Sequence, residues 1–254
     1  MQKKQTILVL IICLFIFFQM PSVAHADDTV RIGHARIDER GEATGGQMGD
    51  QTGNEVAITK WYCHEQGWII FRAKSPLVRE KIASTMEACC ANDNIGYDQY
   101  PPVSLYLRAL EVDFDIEKID KPCGSDCSKT VWVCVLAAGI DCEYFSTYYE
   151  KDRLMDTGAF EMIDDPSISN VKDYLYRGDI LCSAGKGHTV VVLDDGPLAT
   201  HEPAPLFPFL KNFINSAHFP VKSMLLPGMR LTYQAYFQNI MKLQPSLWST
   251  AIDR

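Results

Sequence analysis

Apolar and polar residues fall into several distinct rhythms along this 254-residue chain. Ile7–Phe18 is an unbroken apolar run behind Lys3 and Lys4, and Ala24-His25-Ala26 follows Pro21. A positive start, a short apolar stretch and a small-x-small site predict a secretory signal peptide over 1–26. The run is short for a membrane span of roughly 20 residues. Val56–Trp61 and Trp68–Phe71 are β-prone and flank Gly67, which predicts two strands. Val78, Ile82, Met86 and Cys89 recur at helical spacing behind Ser75-Pro76, a cap followed by a first-turn proline. Ser104–Leu110 also reads as helix. Val131–Ala138 is almost wholly apolar, starts from polar Asp126–Lys129 and stops at Gly139, which predicts a buried helix. Ile180–Cys182 and His188–Leu193 predict two antiparallel strands joined by a tight glycine turn.

Two stretches lack such periodicity. Gly33–Gly53 holds six glycines among polar residues and reads as one long loop. No Lys-Ser or Lys-Thr follows it, so it is not a P-loop. Beyond residue 202 six prolines punctuate the chain, with one late amphipathic helix around Tyr233, Phe237, Ile240 and Met241. The expected organisation is a leader at 1–26, a catalytic-type domain at 27–202 and an extension at 203–254.

At 47% hydrophobic and 22% charged, the chain can bury a substantial core. Its net charge of −8 and the lack of any basic block argue against a nucleic-acid partner. Removing 1–26 takes Lys3 and Lys4 with it, leaving 22 basic against 32 acidic residues. The mature chain has no second long apolar stretch and is expected to leave the membrane, secreted or associated with the cell wall. Eight cysteines would remain, and in an exported chain an even number invites four disulfides. Cys123, Cys127, Cys134 and Cys142 lack the paired Cys-x-x-Cys spacing of zinc sites, so no metal or cofactor is expected.

The chemistry concentrates at Asp126-Cys127-Ser128. A thiol at a helix N-terminus meets unpaired N–H groups and the positive end of the dipole, which lower its pKa and offer an oxyanion site. A nucleophilic cysteine needs a base, and His188 heads a β-rich run directly after a glycine turn. His201 follows a further turn and can orient the His188 ring; Asp195 and Glu202 are the alternative third members. The opposing reading places Cys127 in a disulfide, for instance with Cys123.

These residues carry a resemblance. Asp126-Cys127-Ser128, with an apolar helix ending in Ala-Gly-Ile, resembles the Asp-Cys-Ser-Gly nucleophile motif of NlpC/P60 cell-wall peptidases. Gly178-Asp179-Ile180 resembles their Gly-Asp-Leu strand entry, and His188 and His201 match the second and third catalytic positions in order. Tyr97 resembles the tyrosine that lines the site near the oxyanion. Gly49–Gly53, Trp61-Tyr62 and Ile95–Gln99 are similar to NlpC/P60-like proteins of Firmicutes and their phages, the endolysin type. The resemblance spans roughly 45–202. Lys129 stands where the family has glycine, and Asp98-Gln99 replaces the usual Trp-Gly-Gly.

The resemblance implies an α+β, papain-like fold with the nucleophile helix packed on an antiparallel sheet. It implies a secreted cysteine peptidase cutting amide bonds in peptidoglycan stem peptides. Cys127 would attack, His188 would act as base and acid, His201 would fix the ring, and Tyr97 with the Cys127 N–H would hold the oxyanion. An N-acetylmuramoyl-L-alanine amidase with the same triad, or a silent wall-binding protein with Cys127 disulfide-bonded, are the alternatives.

Overall fold

The computed structural model describes residues 30–100 and 103–200. The expected signal peptide, His201, Glu202 and the extension at 203–254 lie outside the described residues.

The fold is α+β. Six strands form one antiparallel sheet in the order β2-β1-β8-β7-β3-β6. They are β1 (Arg31–Ala35), β2 (Val56–Lys60), β3 (Trp68–Ala73), β6 (Phe160–Ile163), β7 (Ile180–Ser183) and β8 (Thr189–Val192). A separate parallel pair joins β4 (Ile95–Tyr97) to β5 (Cys123–Ser125). The helices are α1 (Pro76–Ala91), α2 (Ser104–Glu111), α3 (Cys127–Ala137), α4 (Glu150–Asp156) and α5 (Pro166–Ser169).

Strand alternation divides the core in two. Ala35, Phe71, Ala73, Ile180, Cys182 and Val191 face one way and pack with α1, α2 and α3. Ile32, Trp68, Ile70, Leu181, Val190 and Val192 face the other and form a second cluster with Val30 and Leu175. Both faces of β7 and β8 are therefore buried, which is why these strands read as continuous apolar runs.

The predicted helices and strands at 56–60, 68–73, 76–91, 104–111, 127–137 and 180–192 are present. The loop reading of Gly33–Gly53 is corrected at its start, because Gly33, His34 and Ala35 belong to β1. A five-residue strand containing glycine and buried on both sides shows neither alternation nor length. Gly33 is required by packing: a Cβ there would stand 2.5 Å from Met86 Cγ.

The remainder of that loop is braced. Asp50 Oδ1 accepts from the N–H groups of Thr52 (2.9 Å) and Gly53 (2.6 Å), and Oδ2 from Glu55 N–H at 3.0 Å. Buried Glu55 then accepts from Gln51 N–H at 2.8 Å and Tyr97 N–H at 3.1 Å. These bonds fix the loop against β4. The Gly-Asp-Gln-Thr-Gly segment thus acts in structure, as a turn held by a carboxylate.

The expectation of disulfides is also corrected. No disulfide joins the eight described cysteines, Cys127 among them. Cys89, Cys123, Cys134, Cys142 and Cys182 are buried and serve as small apolar core residues.

Candidate active site

Backbone packing sets the position of Cys127. β5 lies against β4 with glycines paired at Gly96 and Gly124. A Cβ on Gly96 would fall 2.1 Å from Gly49 O, and one on Gly124 would fall 2.3 Å from Asp98 Cβ. Only glycine allows the strands and loop to approach so closely. β5 passes directly into α3 through Asp126, the N-cap. Asp126 Oδ1 accepts from Lys129 N–H at 3.0 Å and from the Ser128 hydroxyl at 2.9 Å. At the far end Gly139 takes φ +80°. Gly139 N–H donates to Leu136 O at 2.9 Å, and Ile140 N–H to Val135 O at 3.3 Å, the two bonds of a Schellman stop. Helix α3 is thereby fixed at both ends, with its first residue the nucleophile candidate.

Helix α3 packs against β1 and β8. The β1–β8 pairing runs through Ile32↔Val192 and Gly33↔Val191. Beyond that register sits the site. The backbone N–H groups of Thr189 and Ser128 act on the Cys127 thiol and favour its charged form. Thr189 directly follows His188 in the chain.

His188 has a partner that the sequence did not reveal. Its Nε2 lies 2.8 Å from Nδ1 of His34 on β1. His34 Nε2 lies 3.1 Å from the Thr59 hydroxyl on β2. Three adjacent strands thus supply a chain from Thr59 through His34 to His188. His34 holds the ring nitrogen of His188 that an orienting third residue would hold, the role expected of His201. The only sequence signal for His34 was its phase with Ile32 on one side of a strand, and that strand itself was hidden.

Aromatic residues flank the pair. Trp68 has its ring centroid 6.4 Å from that of His188 and 5.0 Å from that of His64. Its indole N–H donates to Tyr62 O at 2.8 Å, which fixes the segment carrying Tyr62 and His64 beside the site. Tyr97 is buried, and its hydroxyl donates to Ala43 O at 2.9 Å and accepts from Gln99 Nε2 at 3.2 Å. Its proton is therefore committed in the resting protein, and the ring forms a wall. Burial raises the Tyr97 hydroxyl, and the charges of Cys127 and Asp126 add to this.

The electrostatics revise one expectation. Burial pushes the Cys127 thiol up to about 12, and the Asp126 carboxylate adds to this. The N–H groups of Thr189 and Ser128 act against it without prevailing. The thiol is thus neutral at rest, contrary to the lowered pKa expected from the helix terminus alone. Desolvation of the charged form outweighs the helix end. Burial likewise lowers His188 to about 4, helped by His64 and Arg36 and opposed by Asp126. His34 falls to about 3, through burial and then the neighbouring His188 and Arg36. A neutral thiol thus faces two neutral imidazoles.

Two carboxyls behind the site are displaced upward. Glu150 on α4 is fully buried, accepts from the Thr189 hydroxyl at 2.7 Å and is pushed up to about 8 by burial. Asp98 is raised to about 6 by burial against the pull of Tyr100 N–H and Lys129. Lys129 is itself buried and pairs with Asp126. Lys129 thus pairs with the N-cap carboxylate beside the thiol. Asp179, from the Gly-Asp-Ile strand entry, is structural: it pairs with Arg72 at 2.6 Å and is fully buried. Among the described residues no cluster of His, Cys, Asp or Glu is arranged to hold a metal.

No curated protein and no solved structure matches this sequence. The family model of the endolysin-like domain matches residues 32–199, more than half of the chain and the whole of the site just described, so the chain belongs to the endolysin-like domain family.

Proposed function

We propose that this protein is a papain-like cysteine peptidase of NlpC/P60 type that hydrolyses amide bonds in peptidoglycan stem peptides. Membership of the endolysin-like family supports a cell-wall hydrolase. The observation that carries the cysteine chemistry is Cys127 at the start of α3, together with the 2.8 Å contact between the His188 and His34 rings.

The hydrogen-bond chain supports the following roles. His188 Nε2 is engaged by His34, which leaves Nδ1 to take the thiol proton. Once protonated, His188 donates from both nitrogens, so His34 Nδ1 must accept. His34 then carries its proton on Nε2 and donates it to the Thr59 oxygen. Cys127 attacks the amide carbon as its proton passes to His188, giving a tetrahedral oxyanion near the Cys127 backbone N–H at the start of α3. His188 returns the proton to the leaving amine, and water hydrolyses the thioester. Proton transfer accompanies attack, because neither group is ionised at rest.

The leader at 1–26 is proposed to direct export, so that the enzyme acts in or on the wall. The extension at 203–254 is proposed to dock on the catalytic domain or to bind wall. Digestion of purified peptidoglycan, followed by mass spectrometry of released muropeptides, tests the activity. Wild type is expected to generate new amine termini and Cys127→Ser none. Equal products from both proteins would overturn the cysteine mechanism, and cleavage at the glycan–alanine amide would make the enzyme an amidase.

A further inference from the structure

Arg36 lies two residues beyond His34, and its N–H continues the β1–β2 pairing by donating to Glu55 O at 2.9 Å. Alternation along the strand therefore puts it on the His34 side. Six of the other seven described arginines pair with carboxylates, and Arg79 donates to the Ala73 carbonyl. Among the described residues, the Arg36 guanidinium has no hydrogen-bond or ion-pair partner. In a chain with 32 acidic residues against 24 basic ones, a half-buried arginine left unmatched beside a candidate catalytic pair calls for a ligand.

We propose that Arg36 is a specificity-determining subsite that binds a free carboxylate on the peptide residue adjoining the scissile amide. The proposal rests on the peptidase reading above and names its substrate class: peptides with a free α-carboxylate there, in preference to their carboxamides. A guanidinium matches a carboxylate through two parallel N–H···O bonds, which a carboxamide cannot reproduce.

Arg36 also acts on the chemistry. Its positive charge bears on His34, His188 and Tyr62. At His188 it opposes the imidazolium that must form when Cys127 loses its proton. A bound substrate carboxylate cancels this charge and removes the opposition. The right substrate thus gains in turnover as well as in binding, since the contact that selects it also eases proton transfer.

The test uses the full-length exported protein and a pair of synthetic stem peptides that differ only in a carboxylate or carboxamide beside the scissile bond. Wild type is expected to favour the carboxylate by about tenfold or more in kcat/KM, the range of one charged hydrogen-bonded contact. Arg36→Gln should bring that ratio close to unity. It should also cleave the carboxamide faster than wild type does, because the uncancelled charge is gone. Arg36→Lys should keep part of the preference. A wild type indifferent to the two peptides, or an Arg36→Gln variant that loses equally on both, overturns the subsite and leaves the peptidase reading standing. If wild type cleaves neither peptide nor peptidoglycan, the peptidase reading itself fails.

Discussion

Thr59→Val separates a working relay from a merely packed histidine pair. Valine keeps the β-branched shape suited to β2 and removes only the hydroxyl that meets His34 Nε2 at 3.1 Å. In the resting state the chain of neutral groups can run in either direction, and loss of one end costs little. After proton transfer there is no such freedom. His188 must donate to His34 Nδ1, which lies 2.8 Å away, and His34 must then donate onward. With valine at 59 that proton has no acceptor. A hydrogen bond whose donor is polarised by a neighbouring cation contributes about 1.5–3 kcal/mol. Thr59 is partly exposed, so water can restore some of it, and about 1–2 kcal/mol remains. The expected result is a loss of about 5- to 30-fold in kcat, with KM close to wild type because the interaction matters only once charge has developed.

Steady-state kinetics on a chromogenic stem peptide, with denaturant melts run beside them, measures this. Thr59→Ser restores the hydroxyl and should recover most of the loss. His34→Ala removes the acceptor itself and should cost on the order of 10²-fold or more. A Thr59→Val enzyme with normal kcat, or one whose loss follows its stability and is not rescued by serine, refutes the relay. Full activity in His34→Ala would remove His34 from the mechanism and return the orienting role to His201.

Further outcomes follow from the same geometry. Because burial holds His188 near 4, the acid limb of kcat/KM should fall as pH drops through about 4; a limb near the ordinary histidine value of about 6.5 would contradict the buried, neutral base. Glu150, raised to about 8 from 4.5, favours the folded state at low pH, and that contribution is lost as pH rises through its folded pKa. Glu150→Gln should therefore gain on wild type progressively between pH 4.5 and 8, by at most about 1.4 kcal/mol per pH unit; denaturant melts showing a pH-independent difference would refute this. Lys129→Gly leaves the Asp126 charge unscreened beside the thiol, so iodoacetamide should alkylate Cys127 more slowly at neutral pH, and unchanged alkylation would show that the ion pair does not tune the nucleophile.

The two halves of the site differed in how far the sequence exposed them. Cys127 was legible because local rules coincide there: a capping aspartate, a polar first turn, an apolar helix and a closing glycine. His188 was legible because a glycine turn and a β-branched run place it at a strand mouth. His34 was not, since its strand is five residues long, contains Gly33 and is buried on both faces. Its role depends on β1 inserting between β2 and β8, a pairing across more than 150 residues that no local pattern encodes. Thr59 and Arg36 were hidden with it, since both are defined by their phase relative to His34. Chain order points to His201 as third member, and the sheet places His34, from the other end of the domain, against His188.

The thiol pKa departs from the helix-end expectation for a related reason. A helix N-terminus favours a thiolate when the sulfur is well solvated, but Cys127 is half-buried, and the loss of solvation outweighs the helix end. Enclosure raises Cys127 and lowers both histidines together, so the thiol and its base move away from the ion pair in opposite directions. Such a site is inert until something restores charge balance inside it. Asp126 already favours a cationic His188, while Arg36 disfavours it. A substrate that neutralises Arg36 removes one of the influences that oppose Asp126, beside burial and His64, and so eases movement of the proton from sulfur to nitrogen. Protection of the resting thiol and selection of the substrate would thus arise from one arrangement of charges around a half-buried nucleophile.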